Sequence, residues 1–364
     1  MIKISVSASR KYDVIMEQGA ISKIDALLEN AGISSGKKLC IVTDETVNEL
    51  YAGEDHTLWK TLKKAGFDLY KYVFAGGENT KNIDTIAGIL NYLADNKFSR
   101  SDMLVALGGG IVGDVTGFAA ASFLRGVEYV QIPTTLLATV DSSVGGKTGV
   151  NLNAGKNLAG AFWQPSLVVF DPDVLSTLSY DIILDGIAES VKAGFIGDGT
   201  MLDDIESCAC AQSREFLTGL AAKAVRVKRK VVEEDERDNG SRQLLNFGHT
   251  LAHAIEKCSS YRISHGHAVA IGMTIVSAAA DILGWSREKC TERLLDILRK
   301  FRFPLDCPYS PEELAEAALQ DKKIRGSDIT LVIPDTMGTC CLKTIPTDEL
   351  LQFISCGINE LKGL

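Results

Sequence analysis

Asp102-Met103-Leu104-Val105-Ala106-Leu107-Gly108-Gly109-Gly110-Ile111-Val112-Gly113-Asp114 is the stretch on which the fold turns. A short apolar run ends on three glycines, and a helix is expected beyond them. An apolar run of strand length is a strand buried on both faces, the kind a parallel sheet contains. Upstream, Lys38-Leu39-Cys40-Ile41-Val42-Thr43-Asp44 and Asp68 to Phe74 read as two more strands. Helical stretches follow them, through about residue 66 and over Thr80 to Lys97, with Ile83, Ile86, Ile89, Leu90 and Leu93 on one face of the second. Strand–helix alternation of this kind implies a Rossmann-like α/β layer.

The glycines fall just past the carboxyl end of a strand, where such sheets bind ligands. They leave backbone amides at the start of the next helix open to a phosphate. The spacing differs from GxGxxG, and tight strand–helix packing is the lesser alternative explanation of the glycines. A second turn, Gly76-Gly77-Glu78-Asn79-Thr80-Lys81, follows the preceding strand, and a dinucleotide across the two turns is the expected ligand.

Past residue 175 the pattern changes. Ser179 to Ile196, Ser213 to Asp235, Asn246 to Cys258, His267 to Leu283 and Ser286 to Lys300 suit helices, and Ile329 to Ile333 reads as a strand. Two domains are therefore expected, an α/β nucleotide-binding domain over 1–175 and a mostly α-helical domain over 176–364, a division natural for 364 residues. The net charge of −9 argues against a nucleic-acid partner. No apolar run is long enough to span a membrane, and the amino terminus alternates like a strand and lacks the apolar core of a signal peptide. The nine cysteines contain no CxxC pair and read as reduced thiols of a cytoplasmic protein.

Two regions carry chemistry. Gln131 to Asn157 concentrates hydroxyls, glycines, Lys147 and Lys156 as an anion cradle. It is not a P-loop, because Asp141 occupies the position of that motif's first glycine. The second is a histidine cluster: four of the five histidines, His249, His253, His265 and His267, lie within nineteen residues. Imidazole is the commonest metal ligand and titrates near neutrality. Three metal arrangements compete. His249 and His253 can pair at i, i+4, although Thr250 excludes the HExxH protease form. His265 and His267 can chelate from a loop. One histidine of each pair can join a distant carboxylate, giving the three protein ligands of a catalytic zinc. Glu189 is such a carboxylate, though with Lys192 three residues on it also reads as a surface ion pair. Arg242, Asn246, His249 and His253 form a series expected to keep one helical side polar.

Taken together these motifs resemble the 3-dehydroquinate synthase family of sugar phosphate cyclases. The resemblance runs through Val42-Thr43-Asp44, Gly76-Gly77-Glu78, the 108–114 run, Phe123-Leu124-Arg125-Gly126-Val127, Pro133 to Thr148 and Gly155-Lys156-Asn157. It continues through Gln164-Pro165, Gly186 to Lys192, Asp235-Glu236-Arg237, Leu245 to Thr250, His265-Gly266 and Asp321-Lys322-Lys323.

The resemblance implies a homodimer acting on a small sugar-acid phosphate, 3-deoxy-arabino-heptulosonate 7-phosphate. It implies transient oxidation by NAD, phosphate elimination, re-reduction and an internal aldol closure, with Zn2+ or alternatively Co2+ polarising the oxidised oxygen. Glu189, His249 and His265 would hold the metal. NAD would be held by Asp44, Glu78, Lys81, Gly108, Gly109, Gly110, Asp114, Thr134, Thr135 and Thr177, with Lys147 and Lys156 beside it. The substrate would meet Asp141, Lys147, Lys156, Asn157, Lys192, Lys228, Asp238, Arg242, Asn246, His253 and one of Lys322 or Lys323. Arg125 would reach a partner subunit's site. Two positions depart from the family pattern: His267 stands in place of a glutamate and Asp238 in place of a longer one. The rivals are another cyclase, such as 2-deoxy-scyllo-inosose synthase, and a metal-dependent glycerol or alcohol dehydrogenase. Arg242 and Asn246 oppose the first, and the concentration of cations opposes the second.

Overall fold

The structure, a computed structural model, describes residues 1–320 and 327–364. The chain forms two compact units, Met1–Leu178 and Ser179–Leu364.

The first unit is built on a seven-stranded sheet. In chain order its strands are β1 (Ile2–Ser7), β2 (Lys11–Met16), β3 (Lys38–Asp44), β4 (Asp68–Phe74), β5 (Met103–Gly108), β6 (Glu128–Pro133) and β9 (Leu167–Phe170). A separate hairpin joins β7 (Lys147–Leu152) to β8 (Gly155–Phe162). The sheet order is β1-β2-β9-β6-β5-β3-β4, and every pairing is parallel except β1 with β2. Successive side chains of a strand point to opposite faces, and here both faces are covered. Leu39, Ile41, Met103 and Val105 face one core with Leu58 and Leu62; Cys40, Val42, Leu104 and Ala106 face the other with Ile86, Ile89 and Val115. Helices α1 (Ile24–Asn30) and α3 (Thr57–Lys64) lie on the first face, past the short α2 (Glu45–Val47). Helices α4 (Ile83–Asp95) and α5 (Gly110–Ser122) lie on the second. Truncating Leu39 or Leu104 to alanine opens a cavity in a closed core, a loss of roughly 2–5 kcal/mol.

From β3 the chain moves outward to β4 and returns to the other side of β3 as β5. That reversal makes the crevice beyond β3 and β5 the topological switch point, where open α/β sheets bind their ligands.

The second unit is helical: α6 (Tyr180–Gly197), α7 (Thr200–Ser207), α8 (Arg214–Glu234), α9 (His249–Cys258), α10 (His265–Ile282), α11 (Thr291–Lys300), α12 (Pro311–Leu319) and α13 (Leu350–Leu361). A hairpin of β10 (Asp328–Thr336) and β11 (Thr339–Pro346) completes it. Helices α6 and α10 are buried nearly all round, which marks them as the central pair. α10 packs on α6, α9 and α13.

Three sequence expectations are corrected here. Asn246 to Cys258 is not one helix: Ser241–Asn246 is a 3-10 turn, and Gly248 adopts φ 76° before α9 begins. A side chain at Gly248 would meet Met273 Cγ at 2.6 Å, so the break is fixed where this turn presses on α10. The polar series from Arg242 to His253 therefore spans two elements. The helix expected from Ser286 starts at Thr291. The stretch read as an anion cradle is not a single Gly-rich segment but strand β6, a helical turn over Ala138–Ser142 and the β7–β8 hairpin.

Candidate nucleotide and metal sites

In the first unit the expected cofactor residues gather at the carboxyl ends of the strands. Asp44 ends β3, Gly108 ends β5, and Thr134 and Thr135 follow β6. Asp44 Oδ1 accepts the Val47 amide at 2.9 Å and so caps α2. Gly109 is the N-cap of α5 and offers no side chain to its amides. A Cβ on Gly110 would stand 3.0 Å from Ser142 Oγ, and one on Gly109 3.3 Å from Thr135 Cγ2. The helix start is thus kept bare, and its positive end is suited to a pyrophosphate.

The β7–β8 hairpin is tied to the turn after β4. Asn151 Nδ2 donates to Glu78 Oε1 at 2.7 Å, the Asn157 amide donates to Asn151 Oδ1 at 2.9 Å, and Lys156 pairs with Glu78 at 3.5 Å. Lys81, buried, donates to Asp114 Oδ2 and Asn157 Oδ1, each at 2.6 Å. Five of the expected residues, Glu78, Lys81, Asp114, Lys156 and Asn157, therefore form one connected network. Asn157 takes φ 53°, a left-handed conformation that asparagine tolerates.

Other expected positions in this unit have local settings. Thr177 closes the turn after β9 and its hydroxyl lies 2.9 Å from that of Tyr51. Lys147 begins β7 with its side chain exposed, and Asp141 sits in the helical turn before it. Arg125 follows Leu124 in a left-handed corner, at φ 68° and 49°. His56, the histidine outside the cluster, accepts the Gly53 amide on Nδ1 at 3.0 Å and stands at the N-cap position of α3 without a side-chain cap bond.

In the second unit three helices converge. Glu189 comes from the middle of α6, while His249 and His265 are the first residues of α9 and α10. Among the described residues they are the group whose ligand atoms lie within 4.8 Å of one another. Glu189 Oε1 stands 3.4 Å from His249 Nε2 and 3.2 Å from His265 Nε2. Donors held about 2.0–2.1 Å from a tetrahedral ion stand about 3.3 Å apart, so the two separations from Glu189 Oε1 match those around a zinc or cobalt ion. Each histidine is oriented through its other nitrogen. His249 Nδ1 meets the Phe247 carbonyl at 3.1 Å, and His265 Nδ1 meets Glu256 Oε2 at 3.4 Å. Such partners fix the tautomer and raise ligand basicity.

Glu256, buried on α9, was not foreseen. Its only sequence signal is its place seven residues after His249, two helical turns along the same face. Burial alone would lower the His265 imidazole; Glu189 and Glu256 outweigh it and raise it to about 10. Two carboxylates around one imidazole favour a positive charge among them.

The Glu189–Lys192 pair is not on the surface. The two side chains are 1% and 4% exposed, and Lys192 Nζ is ion-paired with Glu189 Oε2. The His253 ring stands 5.7 Å from that of His249 and 6.3 Å from that of His265, beside the trio but not in it. Lys228 on α8 and Arg242 in the 3-10 turn are buried cations. Asp235 shapes the loop before Arg242 by accepting the amides of Asn239, Gly240 and Arg242 at 3.0, 2.6 and 3.2 Å. Burial alone would raise its carboxyl; these amides hold it below the usual range. Asn246 ends the turn, and Asp238 sits in the loop at φ 60°. Lys322 and Lys323 lie outside the described residues.

The loop chelate by His265 and His267 is excluded. Both lie in the first turn of α10, where residues two apart face different directions. His267 instead engages Ser264 and Asp185.

The pattern "3-dehydroquinate synthase N-terminal" matches residues 71–185, and "3-dehydroquinate synthase C-terminal" matches residues 186–324. The 3-dehydroquinate synthase of Clostridium acetobutylicum is 40% identical over 348 residues, 94% of this chain and 96% of its own length. Among solved structures, 2-epi-5-epi-valiolone synthase from Streptomyces hygroscopicus, with NAD+ and Zn2+ bound, superposes with TM-score 0.86 at 26% identity, over 99% of this chain and 100% of its own. A 2-deoxy-scyllo-inosose synthase complexed with carbaglucose-6-phosphate, NAD+ and Co2+ superposes with TM-score 0.87 at 23% identity, over 97% and 99%, and shares the fold.

Proposed function

The chain belongs to the 3-dehydroquinate synthase family, and on that premise we propose that it converts 3-deoxy-D-arabino-heptulosonate 7-phosphate to 3-dehydroquinate and phosphate. This is a carbon–oxygen lyase reaction of the shikimate route to aromatic amino acids. The observation that carries the reading is the convergence of Glu189, His249 and His265, backed by Glu256, in a chain 40% identical to a family member along 94% of its length. NAD, when bound, would supply reversible hydride transfer at a ring hydroxyl and a zinc or cobalt ion would supply polarisation of that oxygen, consistent with a net elimination and ring closure without redox.

The protein's own residues bind and orient. The bare start of α5 and the ends of β3, β5 and β6 would hold the dinucleotide, with Asp44, Glu78, Lys81, Asp114, Thr134, Thr135 and Thr177 around it. Glu189, His249 and His265 would hold the metal. Lys192, Lys228 and Arg242 meet a substrate that carries both a phosphate and a carboxylate, for which buried cations and an arginine fork are suited. Asn246 and His253 add hydrogen-bond donors, and His253 serves the departing phosphate. By the family resemblance, Lys147, Lys156, Asn157 and Asp141 of the first unit and Asp238 of the second are also assigned to the substrate, with one of Lys322 or Lys323. The enzyme works in the cytoplasm as a homodimer, with Arg125 reaching the partner's site.

The test is incubation of the metallated protein with the heptulosonate phosphate and catalytic NAD. Stoichiometric phosphate and 3-dehydroquinate are expected. Absence of phosphate release sinks the assignment, and steady NADH accumulation from a simple alcohol would make the protein a dehydrogenase.

A further inference from the structure

We infer that Asp185 is a positioning residue for the metal ligands, latching the start of α10 onto α6 through Ser264 and His267. The inference rests on the metal reading above and concerns residues outside the ligand set.

Ser264 is the N-cap of α10, yet its side chain does not cap its own helix. The hydroxyl donates instead to Asp185 Oδ1 at 2.6 Å. The same oxygen accepts the backbone amide of His267 at 3.3 Å. The cap that a serine ordinarily supplies to the third residue of its helix is thus supplied by a carboxylate of another helix. An anion at that end is also favoured by the aligned peptide dipoles. His267 Nδ1 lies 2.7 Å from Ser264 Oγ and 3.2 Å from Asp185 Oδ1. Because Ser264 spends its proton on Asp185, the proton between Ser264 and His267 comes from Nδ1, which fixes the imidazole as a donor. The far side of that ring rests against Phe303 at 5.4 Å.

The backbones meet at the same point. A Cβ on Gly266 would fall 2.2 Å from Asp185 Cα and 2.5 Å from its carbonyl oxygen. No side chain separates the two helices there. Asp185 is one helical turn before Glu189 on α6, and Gly266 is next to His265. The latch therefore sets the separation between two metal ligands that come from different helices. Groups that orient ligands in this way govern metal affinity.

The experiment is titration of the metal-free protein with Co2+, followed by its visible absorption and by competition with a chelator. Wild type should take up one ion per chain and Glu189→Ala none. Asp185→Ala should bind with affinity reduced about 10-fold or more, with shifted visible bands. Asp185→Asn, whose amide oxygen still accepts from Ser264 and from the His267 amide, should recover most of both. Should Asp185→Ala fail to fold, Ser264→Ala and His267→Leu each remove one arm and should shift affinity and spectrum in the same direction. Wild-type affinity and bands in Asp185→Ala, or in both single-arm variants, overturn the latch. A lower melting temperature of the metal-free protein with unchanged bands also overturns it, since that is structural support alone. If wild type takes up no Co2+, the metal reading itself falls and the latch with it.

Discussion

The two ends of the chemistry are built from different materials. The nucleotide end of the first unit is mostly backbone: bare helix amides, glycines and strand ends that a parallel sheet delivers to one edge. Its charged side chains are committed to one another, as in the Lys81–Asp114 pair. The metal end of the second unit is made of side chains, buried charges drawn from three helices and oriented by a further carboxylate. A surface made of main chain keeps its amides when a side chain is exchanged. A cluster of converging side chains fails when one is lost.

That contrast is breakable, and the largest effect should come from the cluster. Glu189→Ala should abolish stoichiometric metal and lower turnover at least about 10³-fold, since loss of the ion removes both ligand geometry and oxygen polarisation. Metal analysis of the purified variant together with the phosphate-release assay decides it; a variant that keeps its ion would show the cluster to be redundant.

Next in size is Lys81→Met. It removes the cation hydrogen-bonded to the mostly buried Asp114 carboxylate, a cost of about 3 kcal/mol that should appear as a lower denaturation midpoint. A variant that unfolds like wild type would mean that this end leans on main chain even more than proposed.

Glu256→Gln should then weaken metal binding about 10- to 100-fold while the stoichiometry at saturation stays at one, read by chelator competition. An unchanged affinity would detach the carboxylate from the site.

The smallest effect is one of pH. Asp102 accepts the Lys38 amide at 2.9 Å, the Ser99 amide at 2.7 Å and the Ser99 hydroxyl at 2.8 Å, joining the starts of β3 and β5. Burial alone would raise its carboxyl; these donors outweigh it and hold the carboxyl below its usual value. A lowered folded value means stability that is present above about pH 4 and lost as pH falls through that folded value. The stability gap between wild type and Asp102→Asn, roughly 1–2 kcal/mol at pH 6, should close as pH falls below 4. A gap that persists at pH 2.5 would assign the loss to shape and not to charge.

The same contrast explains what was legible in the sequence. The nucleotide end is contiguous: a buried strand, then glycines, then a helix, each announced by its neighbours, so its position followed from local pattern. The metal ligands are 60 and 16 residues apart along the chain, and only the packing of α6, α9 and α10 makes them neighbours. Residue type and the family resemblance identified them, while periodicity left three arrangements open. Local pattern also misled where tertiary contact decides. Helical spacing around Asn246 suggested one helix, but the close approach of Gly248 to α10 imposes a left-handed residue and splits it. Glu189 and Lys192 look like a solvated i, i+3 pair until α6 is found buried on every side. Glu256 had no signal beyond spacing, because its partner lies on another helix.

Gly266 has a counterpart further along α10. A Cβ on Gly272 would lie 2.3 Å from the Gly248 carbonyl, so two of this helix's own glycines rest directly on main chain, one on α6 and one at the entry to α9. It behaves as a beam on two bearings six residues apart, a span of about 9 Å. A beam so mounted cannot slide or roll. Adding one residue between the bearings would leave the segment helical but turn His265 by about 100° relative to the rest of the helix. Chain length within this span is therefore fixed as strictly as the identity of the ligands, and homologous chains that keep the metal should vary in residue type there but not in number.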